Sequence, residues 1–234
     1  WLRRFLLWRV RKALPEGYDI ETHFTPRYQP WDQRLCLVPN DDLFESINSG
    51  DASVVTGTID TFTEDGIRLE SGESLDADIV ITATGLDLLP LGGMDVEIDG
   101  EPVTLANHLS YRGLMISDVP NLVSTFGYVN ASWTLRADLT ARYFCRLVNH
   151  MDRHAYRQCT PRPRAEDLHM EKQPWITGFS PGYLARKLPD LPKQGDRTPW
   201  LNPQDYAKDR QILGNDPLED GVLTFSRAES SASA

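Results

Sequence analysis

The sequence predicts an α/β protein, and three observations carry that prediction. Residues 53–70 alternate apolar and polar side chains with a period of two. Two apolar runs, 78–83 (Asp-Ile-Val-Ile-Thr-Ala) and 121–126 (Asn-Leu-Val-Ser-Thr-Phe), have the composition of strands buried on both faces. Residues 133–153 carry apolar side chains at helical spacing.

Taken in chain order, residues 1–14 form a helix stopped by Pro15-Glu16-Gly17. Its arginines scatter around the axis, which argues against a helix lying flat on a membrane. Residues 23–40 are a loop rich in proline and aromatics, and a short helix follows over 42–48 with Asp41 as its N-cap. Short strands are expected over Ser53–Thr56, Thr58–Thr63 and Ile67–Glu70, punctuated by Glu64-Asp65-Gly66 and Ser71-Gly72 turns. A hairpin over Val96–Thr104 turns at Asp99-Gly100. In the long helix, capped by Ser132, one face collects Trp133, Ala137, Thr140, Ala141, Phe144, Val148 and Met151, and this is the face expected to be buried. Beyond about residue 160 the chain is Pro-rich, with short helices near 181–188 and 203–211 and a Ser/Ala tail from Ser226 expected to be disordered.

Composition narrows the function classes. With 234 residues and 40% hydrophobic side chains the chain can bury a core, and no apolar run approaches the length of a membrane-spanning helix. A net charge of −10 argues against a nucleic-acid backbone as partner. Residues 1–12 carry Arg3, Arg4, Arg9, Arg11 and Lys12, which could touch anionic lipid but read more readily as a solvated helix face. Three scattered cysteines (Cys36, Cys145, Cys159) make no disulfide framework and suit a reducing cytoplasm. The first residue is Trp1 and all four methionines are internal, so the chain is expected to begin inside a longer protein.

Three segments point to chemistry, each with a plainer alternative. Ala83-Thr84-Gly85 ends an apolar run where small residues let the main chain approach a cofactor, or where Gly85 simply turns the chain. The junction Phe126-Gly127-Tyr128-Val129-Asn130-Ala131-Ser132-Trp133-Thr134 leads into a helix whose first N–H groups can donate to an electron-rich ligand, with Asn130, Ser132 and Thr134 beside them. Simple capping by Ser132 is the alternative. Pro30-Trp31-Asp32-Gln33-Arg34 sets a guanidinium beside an aromatic ring and a carboxylate, an anion or nicotinamide site or else a structural Asp–Arg pair. His150 and His154 have metal-ligand spacing, but Cys145 falls nearly opposite them on the helix, so no metal is assigned. No G-x-G-x-x-G occurs, so the chain does not itself supply the phosphate-binding turn of a dinucleotide domain.

Three quoted stretches together resemble the class B flavoprotein monooxygenases of the Baeyer–Villiger type, and within it a mycobacterial branch. They are 23–36 (His-Phe-Thr-Pro-Arg-Tyr-Gln-Pro-Trp-Asp-Gln-Arg-Leu-Cys), 76–85 (Asp-Ala-Asp-Ile-Val-Ile-Thr-Ala-Thr-Gly) and 127–136 (Gly-Tyr-Val-Asn-Ala-Ser-Trp-Thr-Leu-Arg). The resemblance implies the C-terminal part of a flavoprotein with two dinucleotide-binding domains, an FAD domain interrupted by an NADP domain. Residues 1–75 would end the NADP domain with a small β-meander, 76–158 would belong to the FAD domain, 159–225 would form a Pro-rich helical extension, and 226–234 a tail. It implies FAD and NADP as cofactors, with O₂ and a small hydrophobic carbonyl or sulfur compound as substrates. Arg34 would be catalytic, stabilising the anion that attacks the carbonyl, while Trp31, Asp32, Ala83, Thr84, Gly85, Asn130, Ser132, Trp133 and Thr134 would bind cofactor. Many such enzymes carry Lys before the arginine, where this chain has Gln33. The chain alone is expected to be inactive. A second reading is an interaction segment without cofactor, and a third, an N-hydroxylating or ordinary flavin monooxygenase, is disfavoured by the Pro-Trp-Asp-Gln-Arg loop.

Overall fold

A computed structural model describes residues 1–35 and 38–227. Cys36 and most of the tail expected to be disordered therefore lie outside the described residues, while Ser226 closes a strand. The fold is mixed α and β, and every described strand pairing is antiparallel, in sheets of two or three strands. Two compact units divide after Leu86. Among the described residues no helix is long and apolar enough to cross a membrane.

The first unit opens with α1 (Leu2–Ala13), which stops where Pro15 cannot continue it. Trp1, Phe5 and Trp8 stack along an exposed side of this helix, so its buried contacts come from the end, where Val10 and Leu14 meet Ile20 and Ile47. The short α2 (Ile20–His23) is capped by Asp19, whose Oδ1 accepts from the Thr22 N–H at 3.1 Å. In α3 (Asp42–Ser49), Asn48 donates to the Ala13 carbonyl at 2.8 Å and so ties the two helices together. Asp41 precedes α3 as expected but has φ 58° and makes no side-chain cap bond. A meander follows, β1 (Ile59–Phe62), β2 (Gly66–Leu69) and β3 (Ser74–Asp76). Gly66 is required there, because a Cβ would lie 2.1 Å from the Leu75 carbonyl oxygen.

Two expectations for this unit are corrected. Ser53–Thr56 forms no strand. Residues 78–83 form no strand buried on both faces, since Ile79 is 80% and Ile81 85% exposed and no described strand pairs with them. A doubly buried strand requires neighbours on both edges and a layer on each face, and the described sheets supply neither.

The second unit begins with the hairpin β4 (Glu97–Ile98) and β5 (Glu101–Pro102). Its turn residues Asp99 (φ 53°) and Gly100 (φ 88°) are both left-handed, as the two-residue turn demands. Next come β6 (Ser110–Tyr111) paired with β7 (Met115–Ile116), the long α4 (Trp133–His154), β8 (Gln158–Pro161), β9 (Gln173–Pro174), α5 (Gly182–Lys187), β10 (Lys193–Gln194), α6 (Tyr206–Asn215) and β11 (Leu223–Ser226). β11 returns to pair with β8, and β10 with β9. Residues 121–126, read as a buried strand, instead form an irregular connection held by the Ser124 N–H on the Leu114 carbonyl (2.8 Å) and the Asn121 N–H on the Cys159 carbonyl (2.9 Å). Those bonds run to two different elements, so no ladder forms.

The buried face of α4 is rotated from the expected one. Arg136, Leu139, Thr140, Tyr143 and Leu147 are buried, whereas Trp133, Ala137, Ala141, Phe144 and Val148 form an exposed ridge, with Phe144 48% exposed. The buried arginines are accommodated because the core supplies counter-charges for them. Arg112 pairs with Asp220 at 2.9 Å and lies over the Tyr111 ring, and Arg136 pairs with Asp209. Buried charges are tolerated when paired in this way.

Two further carboxylates make the second unit sensitive to acid. Burial pushes the Asp167 carboxyl up, but hydrogen bonds led by the Arg164 guanidinium outweigh it and hold the pKa at about 2. Asp220 is lowered in the same way, burial being outweighed by the Leu223 and Val222 N–H groups, the Tyr111 hydroxyl and Arg112. Because both titrate below the unfolded value of about 3.9, the unfolded state takes up protons first as pH falls. Stability is therefore full above about pH 5 and lost between about pH 4 and 2. Urea unfolding across that range checks this, and Asp167→Asn should flatten the slope; an unchanged slope in that variant would refute it.

Candidate functional site

The residues singled out in the sequence fall into three groups. In the first unit, Trp31, Asp32 and Arg34 share one tight turn. The Asp32 N–H donates to the Gln29 carbonyl at 3.1 Å and the Asp32 carboxylate accepts from the Gln29 N–H at 2.9 Å, so the turn closes on itself. Trp31 has φ 76°, a left-handed conformation that a bulky aromatic adopts only at a cost of roughly 1–2 kcal/mol. Its ring is half exposed, and Arg34 is exposed beside it.

Ala83, Thr84 and Gly85 lie in the exposed segment that follows the meander. Gly85 has φ 96°, and the space where a Cβ would stand is open. Its main chain is accessible to a ligand, and its conformation is one that a side chain would resist.

The third group stands at the start of α4. Ser132 occupies the N-cap position but makes no cap bond; its hydroxyl pairs instead with that of Thr134 at 2.7 Å. The expectation of simple capping by Ser132 is thus corrected, and no side-chain cap satisfies the first-turn N–H groups of a 22-residue helix. Asn130 is exposed immediately before them. The preceding loop is anchored from below. Tyr128 is buried and its hydroxyl donates to Asp209 at 2.8 Å, while the Val129 N–H donates to Gln204 Oε1 at 3.0 Å. Burial first, and then this carboxylate contact, raise the Tyr128 pKa, so the phenol stays protonated. Asp209 in turn holds Arg136, whose guanidinium donates to the Arg112 carbonyl at 2.6 Å.

Trp133 joins this helix start to a cavity of about 440 Å³, within the range of small-molecule sites. Its ring packs on Phe126 at 4.9 Å, and Phe126 packs on Trp175 at 4.8 Å. Gly127 makes this possible, since a Cβ there would lie 2.1 Å from Trp133 Cγ. Leu88, Leu89, Leu91 and Met94 complete an apolar wall, and the hydroxyls of Ser110, Ser124 and Thr125 are the few polar groups. Ser110 accepts from Trp175 Nε1 at 3.0 Å. Sequence reasoning identified Trp133 but missed Trp175, Ser110 and the wall over 88–94. The apolar stretch directly after Gly85 was the available signal.

No protein-family model matches the chain. Among curated proteins it is similar to the FAD-containing monooxygenase EthA of Mycobacterium tuberculosis, 47% identical over 226 residues, which cover 97% of this chain and 46% of that protein. It is similar also to the EthA of Mycolicibacterium smegmatis, 44% identical over 234 residues (100% and 47%). A third relative, named "Probable FAD-binding monooxygenase AlmA", from Acinetobacter baylyi, is 45% identical over 226 residues (97% and 45%). The chain thus spans about half the length of the curated relatives it matches.

Proposed function

We propose that this chain, whose relatives over nearly its whole length are FAD-containing monooxygenases, works as the C-terminal half of such an enzyme. The enzyme would use NADPH and O₂ to insert one oxygen atom into a small apolar ketone, in the Baeyer–Villiger manner, or into a soft heteroatom such as sulfur. The observation that carries this reading is the apolar cavity beside the uncapped start of α4, with Trp133 belonging to both.

The donor chemistry of the residues present supports the flavin reading. Within the second unit, the first-turn N–H groups of α4, with Asn130, Ser132 and Thr134, would offer donors to its electron-rich edge; within the first unit, the open main chain at Gly85 would be accessible to a ligand. Trp31 and Asp32, also in the first unit, would offer cofactor contacts from their own turn. When bound, FAD supplies the redox chemistry, and the protein supplies orientation and field. Leu88, Met94, Phe126 and Trp175 would hold the apolar body of the substrate and exclude water from it. Arg34 would stabilise negative charge developing on the carbonyl oxygen under attack, an electrostatic role that needs no proton transfer.

A second reading, an interaction segment without cofactor, is favoured by the exposed ridge of α4 and the exposed Ile79 and Ile81. One pair of measurements separates the two. Titrating a medium-chain methyl ketone or thioether into the 234-residue chain is expected to change tryptophan fluorescence, and Trp133→Phe together with Trp175→Phe to abolish the change. The chain alone is expected to oxidise neither compound with FAD and NADPH. Failure of both classes to bind would remove the substrate reading, and turnover by the chain alone would remove the claim that it is half an enzyme.

A further inference from the structure

Near the C-terminal end of α4, His150 and His154 stand one turn apart with ring centroids 4.5 Å from each other. Glu219, from the segment between α6 and β11, brings Oε1 to 3.2 Å from His150 Nε2. One donor atom from each of the three lies within 4.8 Å of the others. His150 Nε2 is itself buried and makes no hydrogen bond, so the contact with Glu219 leaves that nitrogen unspent. From these observations we propose that His150, His154 and Glu219 form a site for a divalent transition metal of the zinc class.

Several features support a built site. His150 is wedged against Phe225 at 5.0 Å and Tyr156 at 5.9 Å, so its imidazole is oriented by ring packing, while the exposed His154 touches Tyr156 at 5.6 Å and stays free to turn. Glu219 is positioned by its neighbours: Leu218 is buried, and Asp220 is fixed by Arg112, Tyr111 and the Val222 and Leu223 N–H groups. The end of a helix carries partial negative charge, which favours a cation. Opposing it, Arg227 lies over the Tyr156 ring and donates to the His154 carbonyl at 3.1 Å.

Donor chemistry selects the ion. Two imidazoles and a carboxylate suit zinc, nickel or copper, whereas calcium and magnesium demand oxygen donors. Bonds of about 2.1 Å in tetrahedral geometry place donors about 3.4 Å apart, so the widest pair must close by at most about 1.4 Å. Rotation of the exposed His154 and Glu219 side chains supplies that closure. Water would fill the remaining coordination. The bound ion would clamp the end of α4 to the approach to β11.

Zinc titrated into the metal-stripped 234-residue chain should bind one equivalent by calorimetry and raise the thermal midpoint, while calcium and magnesium leave it unchanged. Cobalt at the same stoichiometry should give a visible absorption band. His154→Ala and Glu219→Gln lie at the surface and should fold normally by circular dichroism, each weakening zinc at least about tenfold. Zinc binding that survives His150→Ala with His154→Ala overturns the site, as does the absence of any zinc-dependent rise in the midpoint. Affinity indifferent to Glu219→Gln overturns the three-donor assignment.

Discussion

Replacing Arg136 with alanine is expected to cost the second unit about 3–5 kcal/mol, because it leaves the Asp209 carboxylate buried and without its counter-charge. Both side chains are almost wholly buried, so water cannot substitute for the lost partner. Three further contacts go with it: the bond to the Arg112 carbonyl, the cation–π contact with Tyr128 at 5.9 Å, and packing beneath Gly113, where even a Cβ would meet Arg136 Nη2 at 2.5 Å. Urea unfolding followed by circular dichroism measures the cost, and a loss below about 1 kcal/mol would show that the pair is not the anchor described. The double variant Arg136→Met with Asp209→Leu should recover much of the loss, since it removes both charges and fills the volume. The loop over 127–130 should still loosen in that variant, because the Tyr128 hydroxyl also loses its acceptor.

Arg34→Ala is expected to lower kcat about 10²–10³-fold in the full monooxygenase proposed above, with little change in KM. The role assigned to Arg34 is electrostatic, acting on charge that appears only as the reaction proceeds, so ground-state binding should be spared. Arg34→Lys should recover part of the rate, since a point charge remains but the planar fork is lost. Unchanged kcat in Arg34→Ala would end the assignment. A comparable fall in KM would instead point to relief of strain in the bound substrate.

Much of the local structure was legible in the sequence. Pro15 marks the stop after α1, the Asp99-Gly100 turn sets the hairpin register, and the periodicity over 133–153 places α4 almost to the residue. The face that α4 buries was not legible. Periodicity counts Trp133, Phe144 and Val148 as core and leaves Arg136 and Tyr143 out of it, because it cannot see that Asp209, Asp220 and Arg112 wait in the interior. The run over 78–83 fails for a related reason, since its composition specifies a strand only where neighbouring strands and layers exist. At the candidate site, the position of the helix start at Asn130–Thr134 was readable, but the absence of a cap bond from Ser132 was not. Trp175 was not readable either, because it arrives from a segment whose local pattern carries no chemistry.

The exposed ridge on α4 also governs how this polypeptide behaves as a solute. At neutral pH the net charge of −10 makes copies repel, and that repulsion opposes contact between their apolar ridges. Near the isoelectric point of about 4.9 the repulsion vanishes, and at high ionic strength it is screened to within a few ångströms. Colloidal stability should therefore be greatest in dilute buffer at neutral to mildly alkaline pH. The same preparation should cloud on salting or mild acidification while its circular dichroism is still that of the folded chain.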